Sequence, residues 1–359
     1  NIQESQRSQY QNIKQSHTYE TAGDYVISIW SDEKINIGAY YTNSNSIPGI
    51  SSLMILRKVE IGNNIGTIRD YGFYNCRNLK TITLSDSVTT IGTNAFIGCV
   101  SLKSVIIPNS ITTLSVSVFQ ACYALSSVSV PSSVTSIGQY AFYQCYALTS
   151  ITIPDSVTSI GQYAFYQCSA LTSAILSNSL TSLGQYAFYD CTSLNNINIP
   201  SSLTTIETYA FSRCSSLNNV VIPNSVTSIK GYAFESCSNF TSMVIPDSVT
   251  SISSYAFNAC THLKYVSLPD LRTLNSNLFS NCSELTDIDM TRMSYPPNTI
   301  LSSGSGALGA DGIWGLQRGF KKAGANSIIM SLWKVDDEAC YRLFDKFYQY
   351  LLIEKKDLD

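Results

Sequence analysis

A chain of 359 residues with a net charge of −3, only 13% charged residues and no basic block lacks the positive footprint of a nucleic-acid binder. Its 44% apolar content is that of a folded protein, and no run of roughly 18 apolar residues marks a membrane span. With two histidines, His17 and His262, and no C-x-x-C pair, the usual zinc-ligand patterns are absent, and no cofactor motif is found.

Asn1 is not preceded by a Met or followed by a signal-like apolar run, so the chain reads as mature or trimmed. Residues 1–52 form an N-terminal segment. Its first twenty residues are polar and weakly periodic, and His17 there reads as solvated. TAGDYVISIWSDEKINIGAYY alternates like a short hairpin and is expected to cap the first turn of the adjoining array.

Residues 53–292 are a repeat array. SVTSIGQYAFYQC at 133–145 recurs letter for letter at 156–168. Phe73, Phe96, Phe119, Phe142 and five further phenylalanines recur every 23 residues, Phe279 follows after 22, and a Cys stands three residues beyond each. A fixed period of this size marks a solenoid whose units bury their faces against one another. Each unit holds one clear strand, such as Ile151-Thr-Ile153, with inward residues at period two and Pro154 ending the pairing. Eleven such strands, from Leu56–Ile61 to Leu285–Met290, predict a leucine-rich-repeat solenoid of about eleven units with one parallel sheet. At ~4.8 Å per strand the array is roughly 50 Å long. Gly161 suits a turn that needs positive φ.

The unit IPxSVTxIGxxAFxxCxxLxxI resembles the BspA-like, Treponema-type leucine-rich repeat over roughly residues 53–290. The resemblance implies a solenoid with a sheet on one side. It also implies display at a cell surface or secretion, and binding of host proteins or other cells.

The ten register cysteines read as small buried hydrophobes, although a disulfide between neighbouring turns is not forbidden by one strand spacing. The redox compartment therefore stays open. Tyr140, Tyr163, Tyr186, Tyr209, Tyr232 and Tyr255 form one column, and Tyr74, Tyr143, Tyr166 and Tyr189 another. They read either as stacked rings closing one side or as a recognition surface, and the first column is taken as structural. The outward strand positions carry the candidate binding residues: Ser150, Thr152, Ser173, Ile175, Asn196, Asn198, Asn219 and Val221. Between residues 104 and 206 the only charges are Asp155 and Asp190, so this face is neutral and rich in hydroxyls and amides. It suits a protein or glycan ligand, or is inert consensus sequence. No paired acids for glycoside cleavage appear.

Residues 293–359 change character. TRMSYPP ends the pattern, Asp311 is placed to cap a helix that Gly324 ends, SIIMSLW reads as a strand, and Leu343, Phe344, Phe347 and Leu351 follow helical spacing. This small α/β segment is expected to dock on the last repeat. Ile300-Leu301-Ser302-Ser303-Gly304 and Asp311–Ala339 are similar to the end of a CHAT domain, a caspase-like cysteine peptidase module. The resemblance puts Gly304 where the family has its nucleophilic Cys, and neither His17 nor His262 stands in the family's His-Gly motif. Catalysis needs a thiolate within reach of a base, so the resemblance implies an inactive peptidase remnant with no catalytic residue. A CHAT-like segment leaves a cytoplasmic location open. The expected function is a non-catalytic recognition or adhesion module. The alternatives are a repeat-guided CHAT-type peptidase present in inactive form and a self-associating structural array, of unknown oligomeric state.

Overall fold

Each 23-residue unit makes one turn of a solenoid because its chain reverses through short hydrogen-bonded turns, not helices. In the computed structural model, the described residues are 56–292, apart from Asn219, Arg272, Thr273 and Ser276, together with the backbone of two earlier strands, Tyr25–Ile29 and Ile35–Ile37. No helix occurs among them. The remainder of the N-terminal segment and the whole expected C-terminal α/β segment lie outside the described residues.

The expected sheet is present as a run of parallel ladders. Strands such as Thr81–Thr83, Ser104–Ile106, Ser127–Ser129 and Ser150–Thr152 recur once per turn. Ser150, Ile151 and Thr152 face Ser173, Ala174 and Ile175 in register. The unit at 217–222, which contains Asn219, carries no strand among its described residues. A second ladder joins the one expected. Its two-residue strands, among them Ser136–Ile137, Ser159–Ile160 and Ser182–Leu183, pair in parallel one turn apart. Two residues are too few to show period two in a sequence, so this ladder is not visible there.

The hairpin expected near the N-terminus does not form. Tyr25–Ile29 pairs in parallel with Leu56–Ile61, and Ile35–Ile37 pairs in parallel with Ile65–Ile68. The two strands extend the two ladders by one further turn, and their pairing covers the edge of the first repeat.

The core is a bundle of columns. Ten phenylalanines from Phe73 to Phe279 are fully buried and stack face to face, with centroids 5.0–5.7 Å apart. Leu, Ile, Val and Ala columns fill the remainder. The ten register cysteines are buried free thiols. Nine of them donate S–H to the carbonyl of the Phe one turn back; Cys168 Sγ, for example, lies 3.2 Å from Phe142 O. The same carbonyl accepts the Cys145 N–H at 3.1 Å. Burial pushes the Cys145, Cys191 and Cys237 thiols far above the ordinary range, so they stay protonated and able to donate.

The turn around each Phe from Phe73 to Phe257 uses two left-handed residues, and the turn around Phe279 uses one, Asn281. Tyr140 and Gln144 flank Phe142 with φ of 57° and 59°, and Tyr163 and Gln167 repeat this at 58° and 58°. Gly161 is not one of them. Its role is close approach: a Cβ there would lie 2.5 Å from Gln139 N and 2.7 Å from Gly138 C, in the backbone of the preceding turn. Gly161 N–H also donates to Ile137 O at 2.8 Å. The glycine expected to supply positive φ instead lets two turns touch.

Candidate binding surface

Alternation along the first ladder buries Ile151, Ala174 and Ile197 and turns their neighbours outward. Ser150, Ser173 and Asn196 therefore form one row in register, and Thr152 and Ile175 form part of the next. Ser150, Thr152 and Asn196 are exposed, and Ser173 is half-buried. Ile175 is 55% exposed and Val221 is 82% exposed. Asn219 lies outside the described residues. Asn198 is exposed but committed: its Oδ1 accepts the Leu176 N–H at 2.8 Å, and its Nδ2 donates to Leu176 O at 3.2 Å. The side-chain amide takes over the pairing a strand peptide would make, and the strand Asn196–Ile197 ends there.

Two further residues of the same outward column join the candidate binding residues. Ile106 is 75% exposed and Val244 is 61% exposed, at the repeat position of Ile175 and Val221. The sequence signal was a β-branched aliphatic where neighbouring units carry Ser129 or Thr152. Exposed aliphatics at one repeat position, on strands whose outward residues carry no charge from Ser104 to Val244, make a row that can lose water to a partner at little polar desolvation cost.

The row ends in an acidic, well-tied corner. Tyr265 and Ser267 hydroxyls each donate to Asp289 Oδ2 at 3.2 Å, and Thr291 N–H donates to Oδ1 at 3.0 Å. Burial pushes the Asp289 carboxyl up, but these donors outweigh it and hold the carboxyl below the ordinary range. Arg292 reaches back to the Asp247 carboxylate, to Ile245 O at 2.8 Å and to Ser267 Oγ at 3.0 Å. It pins the end of the described chain across two earlier turns.

The tyrosines lie on the turn side. Tyr140 to Tyr255 stack with centroids 4.6–5.0 Å apart and planes within 6–15°. Tyr143, Tyr166 and Tyr189 form a second stack at 4.8–4.9 Å, set edge-on or tilted to the first at 5.5–5.7 Å.

No chemistry is assembled among the described residues. The ladder thiols are buried against Phe carbonyls, while His262 Nδ1 lies 2.7 Å from Ser238 O and its Nε2 lies 3.9 Å from Glu284 Oε1. No group of three or more His, Cys, Asp or Glu able to hold a metal occurs among them, and no helix among them is long and apolar enough to cross a membrane. Gly304 lies outside them.

Comparison with known proteins agrees with this architecture. Residues 51–172, 158–286 and 229–302 match the BspA type leucine-rich repeat region, and residues 283–358 match a CHAT domain. A leucine-rich repeat protein from Bacteroides ovatus ATCC 8483 is 29% identical with a TM-score of 0.56, over 78% of this chain and 70% of that one. A leucine-rich repeat protein from Eubacterium ventriosum ATCC 27560 is 25% identical with a TM-score of 0.51, over 79% of this chain and 78% of that one. No curated protein matches the chain.

Proposed function

The chain belongs to the BspA-type leucine-rich repeat family, and from that premise we propose that it is a recognition module binding a protein or glycan through the outward face of its first ladder. The observation that carries this reading is the row Ile106, Ile175, Val221 and Val244, aliphatic and exposed at one repeat position. Ser150, Thr152, Ser173 and Asn196 border it with hydroxyl and amide groups able to pair with a polar rim. Asn198 contributes shape more than hydrogen bonds, because its amide is already occupied. Display at a cell surface or secretion fits adhesion by such a face. Residues 1–52 act as the N-terminal cap in this reading, residues 53–292 as the binding array and residues 293–359 as a separate CHAT-like unit.

The test is binding of the full chain to arrays of extracellular proteins and of glycans, beside Ile175→Glu and Thr152→Glu. Each substitution puts a charge into the row without touching the core. Binding should fall about ten-fold or more in both variants, since burying an unpaired carboxylate costs more than about 1.4 kcal/mol, at unchanged circular dichroism. Equal binding by the three chains would remove the face from the interface.

The CHAT match favours a second reading, a peptidase module attached to a repeat arm. Gly304 at the family's nucleophile position supports reading that unit as a truncated, inactive form. Covalent labelling of residues 293–359 by a thiol-directed peptide probe in native protein would reinstate catalysis.

A further inference from the structure

The tyrosine ladders set strained residues in succession along the turn side. Six tyrosines, Tyr140 through Tyr255, adopt φ of 56–61°. A bulky side chain there is strained by roughly 1–2 kcal/mol. Earlier turns meet the same geometry with Tyr71 at 58°, Asn94 at 57° and Ser117 at 53°, so the position does not demand one residue type. An interior ring gains about one stacked pair per residue, worth roughly 0.5–1.5 kcal/mol. Stacking about offsets the strain, and the rings, half-buried, keep part of their surface open to solvent along the turn side.

The geometry of the rings is that of a straight ridged track. Spacing stays within 4.6–5.0 Å from Tyr140 to Tyr255, and the second stack, Tyr143 to Tyr189, runs alongside for three turns. A long flat molecule laid along the solenoid axis touches successive phenols equally. Beside the first four rings, Tyr140 to Tyr209, the chain carries acids and no base, while Arg213 and Lys230 follow beside the last two. No lysine or arginine occurs between Lys103 and Arg213, whereas Asp155, Asp190 and Glu207 do. Arg213, the first cation after that stretch, places its planar guanidinium over the Tyr189 ring, 5.4 Å from the centroid. The track has thus already taken up the one kind of group it favours, a flat cation on an electron-rich ring.

We infer that the double tyrosine ladder is a binding site for elongated planar aromatic cations aligned with the solenoid axis. The site is separate from the outward row of the first ladder, so either can fail without the other.

Thioflavin T, a cationic benzothiazolium dye, is the probe. Titrated into the full chain, its fluorescence should rise and saturate, and the affinity should weaken as salt is added. Tyr163→Asn with Tyr186→Asn removes two rings from the middle of the track and keeps a residue type suited to the turn. This pair should weaken binding by about ten-fold, or about 1.4 kcal/mol. Arg213→Ala removes the internal competitor and should tighten binding several-fold in a chain that sedimentation shows to be monodisperse, since aggregated β-structure also raises the dye's emission. No saturable signal, unchanged affinity in the double Asn variant, weaker binding in Arg213→Ala, or equal binding of an anionic planar dye would each overturn the site.

Discussion

Adding one methyl group at Gly161 tests whether contact between turns, not local conformation, fixes this solenoid. The new Cβ would lie 2.5 Å from Gln139 N, 2.7 Å from Gly138 C and 2.8 Å from Gln139 Cα. All three are backbone atoms, so no side chain can swing away. Two turns must part, and the Gly161 N–H to Ile137 O bond of 2.8 Å lengthens with them. Overpacking of this kind costs about 1–3 kcal/mol. Loss of glycine's freedom in the unfolded chain returns about 0.4–1 kcal/mol. The balance for Gly161→Ala is a destabilisation of about 1–2 kcal/mol. Gly231 is the control, because its nearest atoms would be Ser254 O at 3.3 Å and Ser253 Cβ at 3.9 Å. Gly231→Ala should stay within about 1 kcal/mol of the parent, and so be less destabilising than Gly161→Ala. Melting followed by circular dichroism separates the two, at about 2–4 °C per kcal/mol for an array of this length. A Gly161→Ala chain that melts with or above the parent, or two variants that shift alike, would refute the argument from close approach.

Two further outcomes are expected of the same structure. The ladder cysteines should resist a thiol reagent such as iodoacetamide in the native protein, because burial holds thiols such as Cys145, Cys191 and Cys237 protonated and out of reach; mass spectrometry of native and urea-unfolded chain should find them labelled only in the latter. Asp289 should make the C-terminal turns acid-sensitive: its folded value is depressed, so its stabilisation is complete above the unfolded value of about 3.9 and fades as pH falls through the folded value. The protection factor of the Thr291 amide, corrected for the intrinsic exchange rate at each pH, should fall below that pH in the parent and change little in Asp289→Asn.

The spacing of Phe142, Phe165 and Phe188, with Cys145, Cys168 and Cys191 behind them, determines the solenoid, its period and most of its core by sequence alone. Identical turns stacked on one another must place the same side chain in the same pocket, so a linear period becomes a column. The outward row is legible for the same reason, since Ile151 pointing in forces Ser150 and Thr152 out. The second ladder was not legible, because Ser159–Ile160 is too short to carry a pattern. The left-handed tyrosines were not legible either, because Tyr is no signal for positive φ and Gly161 is a false one. Nor could the sequence show that the Asn198 amide stands in for a strand peptide, or that each ladder thiol from Cys99 to Cys282 donates to a Phe carbonyl. Each of these facts is a distance between atoms 22 to 26 residues apart in the chain. Periodicity sets which turn lies beside which. Only the packed structure decides how closely they approach, and that closeness selects Gly at 161, a donor at 168 and an amide at 198.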